Sequence, residues 1–138
     1  MTTLTDTAPA RRVPFGTFVP AAERAAAPIG RAMITSLFVL SALTKAQNYQ
    51  ATQGYMEAFG LPGALLPLVI AFELVVPLLL VAGPFVRLAA LALAGFALVS
   101  GALFHADLAD PNQVTHLLKN LAIAGGLLTI ATRHRARD

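Results

Sequence analysis

Four long apolar stretches, separated by short polar segments, form the pattern of this chain. They run at about 29–49, 61–82, 86–104 and 113–132. About 20 predominantly apolar residues suffice for a helix to cross the hydrocarbon core of a bilayer. The pattern therefore predicts an all-α fold, a four-transmembrane-helix bundle (residues 29–132) whose helices are joined by short links.

The segments outside these stretches are more polar. Residues 1–28 are rich in alanine and proline, and we expect a flexible tail there, with a helical turn or two around Ala21–Ala27. The linker after the first span contains YMEAF, residues 55–59, which predicts a short helix at the membrane interface. Residues 133–138 form a basic tail.

A single acid interrupts the second span, whose sequence is LPGALLPLVIAFELVVPLLLV. Glu73 lies near its middle, and Pro77 follows one helical turn later. A charged side chain at this depth costs about 2.5–3.5 kcal/mol on insertion scales, so Glu73 requires a partner or a water-filled cavity. Pro77 also lacks the N–H that would bond the carbonyl of Glu73. Either it serves only to kink the helix, or the freed carbonyl binds a cation or a donor.

The composition agrees with a membrane protein. The chain is 57% hydrophobic and 12% charged, about half the charge of a typical soluble domain. Its net charge of +3 does not indicate nucleic acid, because the arginines cluster outside the apolar stretches. The absence of cysteine excludes disulfides, thiolate metal sites and iron–sulfur clusters ligated by cysteine. With no HExxH motif either, we expect no metal site.

The basic residues predict the orientation. Eight of the ten Lys and Arg residues lie in the two terminal segments and in the turn between spans two and three. Four spans place these three segments on the same side, and cytoplasmic segments carry the excess of Lys and Arg. We therefore expect a multi-pass protein of the bacterial plasma membrane with both termini in the cytoplasm.

The same topology collects polar side chains near the outer ends of the helices. They are Lys45, His105, His116, Lys119 and Asn120. The helical rise puts Glu73 about 18 Å and Lys119 about 10 Å below the outer surface. The sequence thus predicts a cavity open to the outside, with Glu73 at its floor and Lys119 or Lys45 as its partner.

Small residues recur along one face of the third span. Ala90, Ala94, Ala97 and Gly101 are separated by four, three and four residues, and His105 follows four residues later. Small residues allow membrane helices to approach closely, so this face is expected to point into the bundle.

Structural interpretations of the polar residues stay open. A Glu–Lys pair between helices can serve only to hold the bundle in register. Each histidine taken alone is often interfacial. His105 and His116 together could ligate a haem, but they flank a short outer loop near the surface, which disfavours haem.

From about Arg31 to Thr132 the chain resembles the DoxX-like family of small membrane proteins. The matching stretches are RAMITSLFVLSALTK, YMEAFGLPGALLPLVIAFELVVPLLLVAGPFVR, FHADL and HLLKNLAIAGGLL. The resemblance implies a four-helix membrane bundle. It also implies a loose link to quinone-associated oxidoreductases, since the family takes its name from a subunit of a thiosulfate:quinone oxidoreductase.

These observations favour an accessory or quinone-interacting subunit of a membrane oxidoreductase, and they leave open whether the chain is itself an enzyme. In this hypothesis Glu73 exchanges a proton, and the five outer polar residues position a quinone or small substrate. One alternative is a non-enzymatic scaffold or assembly factor whose basic tails dock a soluble protein. Another is an oligomeric small-solute transporter. The expected partners are the lipid bilayer and either another protein or further copies of the chain, with no nucleic acid.

Overall fold

The computed structural model describes residues 18–135, and the side chains of residues 25–133. Helices dominate this part of the chain: α1 (Phe18–Gln47), α2 (Tyr49–Ala58), α3 (Leu66–Val81), α4 (Val86–Phe104) and α5 (Pro111–Arg135), with a 3₁₀ turn at Gly63–Leu65 ahead of α3. Four helical stretches in it are long and apolar enough to span a membrane, at Ala25–Gln47, Gly63–Val81, Val86–Phe104 and Pro111–Arg133; the second consists of the 3₁₀ turn and α3. The predicted all-α bundle with four spanning helices is confirmed.

The first helix begins earlier than the sequence pattern predicted. It starts at Phe18 and continues through Pro28, so residues 18–28 are helical where a flexible tail was expected. Alanine is the strongest helix former, and Pro20 lies in the first turn, where a missing N–H removes no bond. The rest of the expected tail, residues 1–17, and residues 136–138 lie outside the described residues.

The short helix expected in the first linker is present and longer than YMEAF, because α2 starts at Tyr49. It ends at Ala58, and Gly60 follows two residues later with a φ of 76°, a conformation that side-chain-bearing residues rarely adopt. Gly83, with a φ of 102°, makes the tight turn between α3 and α4 in the same way.

We call the end of the bundle that carries α2 and the α4–α5 loop the loop end, and the opposite end the termini end. In between, α3 packs against both α1 and α4, and α4 packs most extensively against α5. Among the described residues, α1 has no extensive contact with α4 or α5. The four long helices therefore form a row, α1–α3–α4–α5, that curves without closing tightly.

The row of small residues on α4 faces the bundle, as predicted: Ala90, Ala94, Ala97 and Gly101 are all buried. A Cβ placed on Gly101 would lie only 3.1 Å from the Cβ of Asn120. Close approach of α4 and α5 at this level therefore requires glycine.

Most of the buried apolar core lies towards the termini end. Its members are Phe38, Leu80, Val86, Ala89, Ala90, Leu93, Ala94, Ala97, Ala124, Leu127 and Ala131. Leu80, Val86, Leu93 and Leu127 are fully buried there. Polar side chains gather towards the loop end, where this packing gives way to a cavity.

Candidate functional site

Glu73 forms an ion pair with a lysine of α1. The Nζ atom of Lys45 lies 2.8 Å from Oε2 and 3.0 Å from Oε1 of Glu73. The carboxylate side is almost completely enclosed, with 4% of the Glu73 side chain exposed, whereas 27% of the Lys45 side chain is exposed. The pair thus joins α1 to α3 and presents its ammonium side to the space beside it.

Ser41 completes this ion pair. Lys45 Nζ donates a hydrogen bond to Ser41 Oγ at 2.6 Å, and Ser41 Oγ donates to Glu73 Oε1 at 3.4 Å. Four residues separate Ser41 from Lys45, so helical periodicity places both on one face of α1. Ser41 was not among the predicted site residues, although this spacing was the signal that could have identified it.

A second polar contact joins α1 to α3 one turn further from the loop end. The hydroxyl of Thr35 donates to the carbonyl of Pro77 at 2.9 Å, and Thr35 is buried. The sequence predicted that Pro77 would free the carbonyl of Glu73 for a donor. The donor found between the helices instead reaches the carbonyl of Pro77 itself.

A cavity of about 500 Å³ lies beside the ion pair. Its wall is mainly apolar and draws on α1, α2, α3, α4 and α5. The polar side chains that line it are Ser41, Thr44, Lys45, Thr52, Glu73, Ser100, His105, Lys119 and Asn120. Four of the five outer residues that the sequence singled out therefore share one cavity wall with Glu73, and His116 does not.

Lys119 lines the cavity but is not the partner of Glu73. Its Nζ lies 3.2 Å from Nδ1 of His116, one turn earlier on the same helix. Within residues 25–133 the ion pair of Lys45 and Glu73 is the one salt bridge. Of the two partners that the sequence left open, the structure selects Lys45, because α1 packs directly against α3 whereas α5 packs against α4.

The two histidines meet at the loop end. Their rings stack with centroids 4.9 Å apart, and His105 Nδ1 lies 2.7 Å from Gln113 Oε1. Gln113, which the sequence did not single out, thereby fixes the orientation of the His105 ring. Across the part of the chain that the structure describes, no group of three or more His, Asp or Glu side chains is placed to hold a metal ion.

Helix α2 lies over the cavity at the loop end. Thr52, Tyr55 and Met56 line the cavity from this helix. Tyr55 stacks on Phe104 of α4 with ring centroids 5.4 Å apart, and Gln53 Nε2 donates to the carbonyl of Gly63 at 3.3 Å. The sequence predicted the helix but not its contribution to the cavity, since an interfacial helix has no fixed register to the spans.

The arrangement combines an apolar chamber with one enclosed acid–base pair. Such a chamber accepts an apolar ring or chain, and its few convergent polar groups orient the ligand. Lys45 and Glu73 can exchange a proton with a ligand oxygen that reaches the exposed ammonium side of the pair.

Comparison with known proteins agrees with this architecture. Residues 26–106, more than half of the chain, match the family described as DoxX. Inner membrane protein YqjF of Escherichia coli (strain K12) is 40% identical over 103 residues, which is 75% of this chain and 79% of that protein. No solved structure matches the chain. With the four apolar helices, these matches indicate a multi-pass bacterial membrane protein, and the chain belongs to the DoxX family.

Proposed function

We propose that this protein binds the head of a quinone in the cavity and serves as an accessory subunit of a membrane oxidoreductase. One observation carries the proposal: an enclosed acid–base pair, Lys45 and Glu73, forms part of the wall of an apolar cavity within the bundle. A quinone head is an apolar ring with two oxygen atoms. The apolar wall suits the ring, and the few polar side chains suit the oxygens.

The size of the cavity supports a small-molecule ligand. Its volume of about 500 Å³ falls in the range of roughly 300–1,000 Å³ that is usual for such sites. The aromatic side chains of Tyr55, Phe96 and Phe104 line it. These rings offer flat apolar surfaces against which a quinone ring packs.

The ion pair has a chemical role in this proposal. Reduction of a quinone to a quinol takes up two electrons and two protons. The electrons come from a redox partner protein, Lys45 with Glu73 supplies one proton to the quinone oxygen nearest to them, and water supplies the second proton to the other oxygen. Ser41 bridges the two charged groups and keeps them in register as the proton leaves and returns.

A purely structural role accounts for less of the geometry. An ion pair that only holds α1 against α3 requires contact between those two helices and no cavity beside it. Here Lys45 stays 27% exposed and lines a cavity together with His105 and Lys119 from α4 and α5. Polar groups inside a membrane are costly, and such a collection in one cavity is typical of a ligand site.

Calorimetric titration of the detergent-purified protein with a water-soluble quinone tests the proposal. We expect saturable binding to the wild type, weakened at least about tenfold in Glu73→Gln and Lys45→Met, since a hydrogen bond to a charged group contributes about 1.5–3 kcal/mol. Glu57→Gln and Arg87→Gln are the controls, because both side chains are exposed and neither lines the cavity.

Absence of quinone binding to the wild type contradicts the proposal, and so does equal binding by all five proteins. A soluble protein that co-purifies while no quinone binds favours the scaffold hypothesis instead.

A further inference from the structure

The cavity is open towards one side of the bundle. Leu37 and Leu40 of α1 line it, yet 40% and 62% of their surfaces remain exposed. Lys119 of α5 also lines it and is exposed. Residues that line the cavity and also face the outside mark its edges, and they include Tyr55, Val99 and Leu103 of α2 and α4 as well. We consider the edge between α1 and α5, two helices that lack extensive contact with each other.

Helical spacing defines this opening, which we call the side gap. On α1 its residues are Leu37, Leu40 and Thr44, at spacings of three and four, and on α5 they are Lys119 and Ile123, four apart. Each set therefore lies along one helix face. Further from the loop end the helices approach, since a Cβ on Gly126 would lie 3.9 Å from Cδ1 of Ile34. The side gap is thus closed at that level.

The side gap lies at hydrocarbon depth. Leu40 precedes the end of α1 by seven residues and Leu37 by ten, which places them about 10 Å and about 15 Å along the helix from the loop end. Two leucines and an isoleucine surround the opening there. Its only charged rim residue is Lys119, one turn closer to the loop end than Ile123.

We propose that the side gap binds the hydrocarbon tail of a single-chain amphiphile whose head occupies the cavity, and that this ligand enters from the bilayer. The inference rests on the proposed function, because it assigns the tail of the same ligand. The apolar lining continues from the cavity wall to the lipid-facing surface. A ligand with a tail binds there without exposing its chain to water.

Two quinones with the same ring test the inference, one carrying a methyl group and one a decyl chain. Their affinities are compared for the wild type, Leu40→Trp and Leu88→Trp. Leu88 is the matched control, because it is 66% exposed and lies outside the cavity and the side gap. Each compound partitions into detergent equally in all three samples, so differences between the proteins report the binding site.

For the wild type and Leu88→Trp we expect the decyl compound to bind at least about tenfold more tightly than the methyl compound. Burial of about two methylene groups of the chain is enough to give a tenfold gain in affinity. In Leu40→Trp the indole fills the gap, and the advantage of the decyl compound over the methyl compound falls below about threefold. An equal decyl advantage in all three proteins overturns the inference and leaves the proposed function standing. If the wild type binds neither compound, both the inference and the proposed function are contradicted.

Labelling gives a second measurement that does not depend on the tryptophan variants. The chain has no cysteine, so Leu40→Cys introduces a single thiol. The decyl compound is expected to slow its reaction with a maleimide at least about threefold, and the methyl compound to leave the rate unchanged. Equal rates with both compounds contradict the inference.

Discussion

The two ends of this bundle are built from the same helices and differ sharply in packing. Towards the termini end, alanines and fully buried residues such as Leu80, Leu93 and Leu127 fill the space between α3, α4 and α5. Towards the loop end, larger and more polar side chains leave a cavity of about 500 Å³. Small residues fill the space between the helices at the first end, whereas Lys45, Glu73 and Lys119 line the cavity at the second.

This difference shows how a small membrane bundle combines stability with a site. Association of helices in lipid depends on close packing, because lipid chains are as apolar as leucine. The termini end supplies that packing. The loop end lacks that close packing around the cavity, and contacts between specific pairs, such as Lys45 with Glu73, hold its polar side chains in place.

The membrane orientation of the two ends is the first prediction, and its outcome is all or none. Fusions of a cytoplasm-active reporter at residue 1 and residue 138 should both be active, and a fusion within Asp107–Pro111 should be inactive. Eight of the ten Lys and Arg residues belong to the two terminal segments and the turn between spans two and three, and segments rich in such residues stay in the cytoplasm. A periplasmic carboxyl terminus would contradict both the orientation and the outward-facing cavity.

The second prediction concerns the ion pair at the loop end. Lys45→Met should lower the free energy of unfolding in detergent by about 3–5 kcal/mol, because it leaves the carboxylate of Glu73 buried without a cation. Glu73→Ala should cost less, since Lys45 is partly exposed and can reach water. Lys119→Ala, which removes a cation without a carboxylate partner, is the control and should be nearly neutral. Additive and negligible effects of all three changes would show that no pair forms.

The third prediction compares two glycines of α4. Gly101→Ala should destabilise by about 1–3 kcal/mol, because the added methyl group would meet the side chain of Asn120 at 3.1–3.2 Å. Gly95→Ala is the matched control in the same helix. It has open space around it and should stabilise by about 0.5–1 kcal/mol. Thermal unfolding in detergent measures both, and equal shifts for the two variants would contradict close packing of α4 on α5.

The fourth prediction is the smallest in magnitude. Thr35→Val should destabilise by about 0.5–1 kcal/mol, because it removes the interhelical hydrogen bond to the carbonyl of Pro77 while keeping the shape of the side chain. Thr129→Val is the control, since the Thr129 hydroxyl bonds only the carbonyl of Gly125 in its own helix. If Thr35→Val destabilises the protein no more than Thr129→Val does, the hydrogen bond of Thr35 does not stabilise the contact between α1 and α3.

Much of the fold follows from residues whose environment is set locally. The apolar stretches predicted the spanning helices, and the spacing of Ala90, Ala94, Ala97 and Gly101 predicted the packed face of α4. The start of α1 was missed because Pro20 and Pro28 suggested an irregular segment. In the structure the first lies in the opening turn and the second inside the helix.

The site depends on packing between helices, which sequence patterns do not encode directly. The sequence left both Lys45 and Lys119 open as partners of Glu73, and the choice between them follows from α1, not α5, being the neighbour of α3. The participation of Thr52, Tyr55 and Met56 depends on how α2 folds over the cavity. The orientation of α2 relative to the spanning helices leaves no periodic pattern in the sequence.

The central claim is that Lys45 and Glu73 form a ligand site as well as a contact between helices. The double variant Lys45→Met with Glu73→Gln tests it most directly, because replacing both partners should recover part of the stability that Lys45→Met alone loses. Quinone titration of this folded variant, beside the wild type, is then the decisive measurement. We predict that the free energy of unfolding of the variant lies within about 1–2 kcal/mol of that of the wild type, and that the variant binds quinone at least about tenfold more weakly. Wild-type affinity in the double variant would contradict the account and leave the pair a structural contact only.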